Sequence, residues 1–403
     1  MIVRHLSLTN FRLYARLELD LPAGLTIVQG DNAQGKTSLL EAIYFLATAH
    51  SPHTSADRQV IRWGAAEEAA YPFAMLKADL LRRDGPHVLE IGIQRADGNR
   101  LKKEIRVDHM ARRGIDLVGQ LAVVLFLPGD VELVSGAPAL RRGYLDAALS
   151  QVDADYVRAL DQYERALTQR NALLRQAQER PVDPDEFSVW DDQLVPAGVE
   201  VALRRRRAVA ELTQLAMPAH RQLSNGLEYL EIVYQPNFDV AAPASSARAY
   251  QIGLDLARPP AGLDRADLEA AFRRALADRR REEIARGATL TGPHRDDLRF
   301  LANAVDLGDY GSRGQQRTAV LSLKLAEADW MRQCIGEEPV LLLDEVLAEL
   351  DPNRRRCLLD HISDSHQTIV TTTDVARFDA AFVKQATLLR VAHGVVMRMA
   401  AGG

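Results

Sequence analysis

Eight consecutive residues, Gly30, Asp31, Asn32, Ala33, Gln34, Gly35, Lys36 and Thr37, fit G-x-x-x-x-G-K-[ST] at every position. In such a loop the glycines let backbone N–H groups turn inward around phosphates. The lysine neutralises the β and γ charges, and the hydroxyl ligates Mg²⁺ at a helix start. Ser38 follows at once and joins the set that would contact a nucleotide. Far along the chain, Val340, Leu341, Leu342 and Leu343 run without alternation into Asp344 and Glu345, the pattern of a buried parallel strand ending in two acids. Asp344 is suited to hold Mg²⁺ through water, and Glu345 to polarise an attacking water, the limited help that phosphoryl transfer asks of a protein. Alone, an aliphatic run ending in acids also describes a strand whose acids merely cap a helix. With Lys36 upstream, the expected chemistry is hydrolysis of ATP assisted by Mg²⁺, with Lys36, Asp344 and Glu345 as its catalytic residues and Thr37 and Asp344 as metal ligands.

The neighbouring pattern supplies elements to hold these groups. Leu25 to Val28 reads as a strand entering the glycine loop, and Leu39, Leu40, Ile43, Tyr44 and Leu46 recur at helical spacing after it. From Met75 to Val107 the pattern predicts antiparallel hairpins, with turns at Asp84-Gly85 and at Asp97, Gly98 and Asn99. Between about 135 and 285 the character is helical. Leu160, Tyr163, Leu167 and Leu174 form one series, and Leu194, Ala197 and Val201 begin another after the break at Pro181–Pro184. These predict a helical hairpin with arms of a few turns, too short for an extended coiled coil. Residues 241–248 are small and polar and read as a loop. A helix is expected over Leu268–Ile284, a strand over Leu298–Phe300, a helix over Thr318–Met331 and a strand over Thr368–Thr372. The organisation is therefore an α/β lobe made of residues 1–120 and 291–403, interrupted by a mainly helical lobe at 121–290.

Composition limits the function classes. A chain of 403 residues, 47% hydrophobic and 26% charged, can bury at least one full core. Two cysteines, Cys334 and Cys357, make no disulfide framework and no metal spacing, which points to a reducing cytoplasm. The longest nearly apolar run, Leu121 to Pro128, is far short of the roughly 20 residues of a membrane helix, so no membrane association is expected. His50, His53, His294 and His366 are single histidines without metal-ligand spacing. A net charge of −5 excludes a protein that coats nucleic acid with its whole surface, yet basic residues cluster. Arg141 with Arg142, and Arg204, Arg205, Arg206 and Arg207, are the candidates for contacts to DNA phosphates. Such runs also occur on ordinary solvated helices.

Two further features narrow the class. Tyr310, Gly311, Ser312, Arg313, Gly314, Gln315 and Gln316 precede a helix and resemble the signature motif of ABC-type ATPases, although Ser312 would also serve as a plain helix cap. Glu349, Leu350 and Asp351 resemble the D-loop of the same proteins, and Asp351 before Pro352 would equally cap a helix. Adding Asn10-Phe11-Arg12, Phe126 to Asp130, Arg141 to Asp146, Gln169 to Leu174 and Thr291 to Asp297, the chain resembles the RecF family from end to end.

That resemblance implies an ABC-type phosphate-loop ATPase lobe with a mixed β-sheet and a mainly helical second lobe inserted between the Walker A loop and the signature. It implies that Ser312, Gly314, Gln315 and Asp351 act across an ATP-dependent, head-to-tail homodimer. It further implies weak ATP hydrolysis, binding to double-stranded or gapped DNA without base specificity, and cooperation with RecR, RecO and RecA. Pro128-Gly129-Asp130 stands where other ABC ATPases keep a metal-contacting glutamine, and Thr373-Asp374 where many keep a switch histidine, so γ-phosphate sensing would fall to Thr372 or Thr373. Two other classes compete. A transporter's nucleotide-binding subunit would not carry so large a helical insertion, and a small-molecule kinase would have no use for Ser312.

Overall fold

The computed structural model describes residues 1–54, 56–65, 72–95, 101–238, 264–363 and 365–399. The turn expected at Asp97–Asn99 and the loop expected at 241–248 lie outside them. The strands are β1 (Ile2–Phe11), β2 (Tyr14–Asp20), β3 (Gly24–Gln29), β4 (Phe73–Arg82), β5 (Gly85–Arg95), β6 (Leu101–Val107), β7 (Met110–Arg112), β8 (Val123–Phe126), β9 (Leu230–Gln235), β10 (Asp297–Ala302), β11 (Val305–Asp306), β12 (Val340–Asp344), β13 (Gln367–Thr372), β14 (Thr387–Ala392) and β15 (Val395–Arg398). The main helices are α1 (Lys36–Thr48), α2 (Pro138–Val152), α3 (Ala154–Glu179), α4 (Pro184–Leu223), α5 (Arg265–Arg286), α6 (Arg313–Ile335), α7 (Pro352–Ser363) and α8 (Ala380–Gln385).

The chain divides into two compact units, Met1–Asp130 with Leu321–Gly403, and Val131–Val320. The first holds two sheets. One is mixed, in the order β15-β14-β3-β13-β12-β8, and parallel except for the β14–β15 pair. Every residue of β8, β12 and β13 is buried, which explains why those segments read as unbroken aliphatic or threonine-rich runs. The other sheet, β2-β1-β4-β5-β6-β7, is antiparallel, and the alternation along β4 and β5 puts one face into the core. Leu39, Leu40, Ile43, Phe45 and Leu46 of α1 fill the same core, and Phe45 meets Phe11 edge-on at 6.2 Å between ring centres.

In the second unit the helical hairpin is present, turning at Arg180–Asp183, with the Asp183 side chain accepting from Asp185 N and Pro184 in the first turn of α4. Its arms are longer than the expected few turns. α3 has 26 residues and α4 has 40, because α4 continues through Pro196 and Pro218, where a stop would be expected from proline alone. β9, which pairs with β10, stands in a stretch for which no strand was expected.

The expected lobe boundaries move for a reason of strand pairing. β8 pairs with β12, so the first unit runs to Asp130 and not to residue 120. β10 pairs with β9, so residues 291–320, Ser312 included, belong with the helical unit and not with the α/β lobe. Among the described residues no helix is long and apolar enough to cross a membrane.

Candidate nucleotide-binding site

In the mixed sheet β13 lies between β3 and β12. The loop after β3, the end of β13 and the acids ending β12 therefore meet at one carboxyl edge, where open α/β sheets bind ligands. The loop depends on its two glycines. A Cβ on Gly30 would stand 2.5 Å from the Val391 carbonyl oxygen, and Gly35 takes a φ of +115° with the Tyr14 hydroxyl 3.0 Å from any Cβ. Tyr14, fully buried, donates its hydroxyl to the Gly35 carbonyl at 2.9 Å, and burial raises its pKa so that it keeps the proton it donates. Gln34 accepts from His393 N at 2.6 Å and, through its carbonyl, from Gly394 N at 3.2 Å, so the β14–β15 turn supports the loop.

Asp31, Asn32 and Ala33 stay exposed, and Ser38 is half-buried at the start of α1. No side chain caps α1, whose first N–H groups open toward the loop. An uncapped helix start beside a glycine loop is a place for an anion.

Lys36 is 4% exposed, and its ammonium donates to the carbonyls of Gly30 at 2.8 Å and Asp31 at 3.0 Å and pairs with Glu345 Oε1 at 2.9 Å. Thr37 donates Oγ1 to Asp344 Oδ2 at 2.8 Å. The two halves of the motif, 307 positions apart, are thus in direct contact. Glu345 has a left-handed backbone, φ 53°. Its N–H donates to Thr371 Oγ1 at 3.0 Å, and Thr371 donates to Asp344 Oδ1 at 2.7 Å. Thr372, one of the two threonines expected to sense the phosphate, has its hydroxyl engaged with the backbone of Asp374 at 3.0 and 3.1 Å.

The signature segment forms a capping box at the start of α6. Gln315 N donates to Ser312 Oγ at 3.2 Å, and Ser312 N donates to Gln315 Oε1 at 2.9 Å. Gly314 lies in the first turn, and Gln315 also donates to Glu228 at 2.8 Å. Ser312 is exposed. Asp351, also exposed, accepts from Arg354 N at 3.1 Å at the start of α7.

The arginines nominated for DNA need correction. Arg141 is buried, forked onto Asp297 at 2.6 and 3.0 Å with a further bond to Gly136 O. Arg205 is buried too, on Tyr156, the Pro293 carbonyl and Asp146. Both guanidiniums are consumed by the interior of the unit and do not face solvent phosphate. Arg142 donates to Asp296 O, and Arg204 is held by Asp153, Asp155 and Glu200. Arg206 is half-buried, and only Arg207 of the six is exposed, pairing with Glu211.

Residue types alone did not single out Thr371, Tyr14 or the support of the loop by His393 and Gly394. Arg12 was noted only as part of a resemblance. Its guanidinium grips Glu41 of α1 at 2.8 and 2.5 Å and bonds Gln59 O, which ties the β1–β2 corner to the helix that carries Lys36.

A phosphate loop joined to a strand-ending acid pair on this mixed sheet defines an ABC-type ATPase head of the RecF/RecN/SMC class. The family model of the RecF/RecN/SMC N terminal domain matches residues 2–396. Within that class the chain belongs to the RecF family of DNA replication and repair proteins. It is 47% identical over 407 residues to the DNA replication and repair protein RecF of Chloroflexus aggregans, covering 98% of this chain and 99% of that one. To the RecF of Bacillus subtilis it is 37% identical, covering 99% and 100%. A solved structure of the recombination mediator protein RecF with ATP, in the RecFOR pathway, superposes with a TM-score of 0.82 at 28% identity, covering 99% of this chain and 97% of that one. A crystal structure of an Smc head bound to the C-terminal winged-helix domain of ScpA shares the fold, with a TM-score of 0.52 at 15% identity.

Proposed function

We infer that the chain is a weak ATPase acting as a dimerisation switch on DNA. ATP closes a head-to-tail homodimer on duplex or gapped DNA without reading bases, and slow hydrolysis reopens it. In the cytoplasm this would support loading of RecA together with RecR and RecO. The observation that carries the reading is the convergence of Lys36, Thr37, Asp344 and Glu345 at one sheet edge, in a chain whose relative was solved with ATP.

The residues fit Mg²⁺ and ATP on their own terms. The helix start is uncapped, the backbone around Gly30 and Gly35 tolerates no Cβ, and a buried ammonium stands at the mouth. Lys36 would neutralise the β and γ phosphates, with the loop from Gly30 to Gly35 and Ser38 around them. Thr37 and Asp344 would hold Mg²⁺, and Glu345 would orient the attacking water. Bound Mg²⁺ and ATP supply the charge neutralisation and the free energy of closure. Ser312, Gly314 and Gln315 of one copy would meet the γ-phosphate held by the other, with Asp351 at the interface. Because the site is complete only in the closed pair, ATP shifts the population toward it.

The Lys36–Glu345 pair has a consequence for binding. Glu345 occupies the cation that the phosphates need, so nucleotide must displace it, and displacement frees Glu345 for water. For DNA, the exposed Arg207 on α4 is the surviving candidate among the six nominated arginines, and electrostatic contacts of this kind weaken steeply with salt.

The test is binding of labelled duplex DNA by anisotropy, with light scattering for mass, on wild type, Lys36→Ala and Ser312→Arg, with and without ATP. ATP should double the mass and tighten DNA binding in wild type alone. A constant monomer mass with absent or nucleotide-independent DNA binding overturns the reading.

A further inference from the structure

Asp344 and Glu345 share one hydroxyl. Thr371 sits opposite Asp344 in the parallel register of β12 and β13, and it is 1% exposed. Its hydrogen goes to Asp344 Oδ1 at 2.7 Å, while its oxygen accepts the Glu345 N–H at 3.0 Å. The other Asp344 oxygen, Oδ2, faces Thr37. One side chain therefore decides which carboxylate oxygen is turned toward the phosphate loop. The same side chain holds the backbone of the next residue, at a φ of 53° that a non-glycine adopts only when its surroundings compel it.

Threonine suits this task because branching at Cβ fixes χ1, and with it the direction of the hydroxyl. A valine there would fill the same space in the strand and leave Asp344 Oδ1 without a donor and the Glu345 N–H without an acceptor. Thr372 and Thr373 follow in sequence, but the Thr372 hydroxyl is turned into its own loop.

We propose that Thr371 is the positioning residue of the ATPase site, orienting Asp344 toward the metal and fixing the backbone of Glu345 for the attacking water. This rests on the nucleotide reading given above. The group acts through Asp344 and Glu345 and touches neither phosphate nor metal itself, as outer partners of metal ligands do.

The experiment compares Thr371→Val and Thr371→Ser with wild type, each checked for folding by thermal unfolding. Two quantities are read: the Mg²⁺ concentration for half-maximal binding of a non-hydrolysable ATP analogue, and kcat against KM for ATP. In Thr371→Val the Mg²⁺ midpoint should rise about 10-fold or more and kcat fall by about 10- to 100-fold, with KM for ATP little changed. Thr371→Ser, which keeps the hydroxyl, should recover both. The inference is overturned if the valine variant keeps the wild-type midpoint and kcat, or if a folded serine variant is as impaired as the valine one. Wild type that binds and hydrolyses ATP while valine changes nothing defeats the inference alone. Wild type that binds no analogue defeats the nucleotide reading and the inference with it.

Discussion

Two buried cations in the two units show how differently the same kind of group can be used. Lys36 sits at the edge of the mixed sheet, held by two backbone carbonyls and by Glu345, whose side chain is 35% exposed. Arg170, in the helical unit, is wholly buried against Asp191 and Glu283, and it also donates to Thr289. Around Lys36 one anion is partly in water and can be replaced by another. Around Arg170 both anions are enclosed, and nothing can substitute for them without leaving a buried charge unpaired. The first arrangement suits an exchangeable anion. The second is scaffold, and so are Arg141 and Arg205.

The contrast can be broken most forcefully at Arg170. Arg170→Ala should destabilise the helical unit by about 3–5 kcal/mol, read as a shifted denaturant midpoint, because it leaves the buried Glu283 carboxylate without its cation while Asp191 keeps only Arg280. Arg207→Ala, removing an exposed partner of Glu211, should change stability by no more than about 0.5 kcal/mol. Equal effects would show that burial and partner count do not separate scaffold from surface here.

A smaller effect sharpens the same contrast through pH. His294 joins Tyr163 Oη at 2.6 Å and the Thr289 carbonyl at 3.0 Å, and burial pushes its pKa down to about 4. The unfolded chain takes up that proton near pH 6.5, whereas the folded chain refuses it until about 4. The stability from this group is therefore fully present above pH 6.5 and is lost as pH falls toward 4. At pH 5.5 the loss should be about 1.4 kcal/mol in wild type and be absent in His294→Gln. Parallel stability curves for the two proteins would contradict it.

These cases also show what the sequence makes legible. The phosphate loop and the acid-ended strand were readable because each needs fixed residue types at fixed spacing, and the sheet then brings Thr37 and Asp344 within hydrogen-bonding distance. The α/β class and the helical hairpin followed from periodicity. Arg141 and Arg205 were misread because a run of arginines looks the same whether its partners are phosphates or carboxylates far along the chain, here Asp297 and Asp146. The lobe boundaries shifted because short strands such as β8 and β9 show their membership only through pairing. Thr371 was passed over because three successive threonines carry no local mark of which one faces the acids, a choice made by the β12–β13 register.

The most direct measurement is a calorimetric titration of a non-hydrolysable ATP analogue with Mg²⁺ into wild type, Lys36→Ala and Glu345→Gln. If nucleotide enters by displacing Glu345 from Lys36, binding is lost in Lys36→Ala and tightens about 2- to 5-fold in Glu345→Gln, the worth of one partly exposed ion pair removed from competition. Binding unchanged in Lys36→Ala, or weakened in Glu345→Gln, would contradict it.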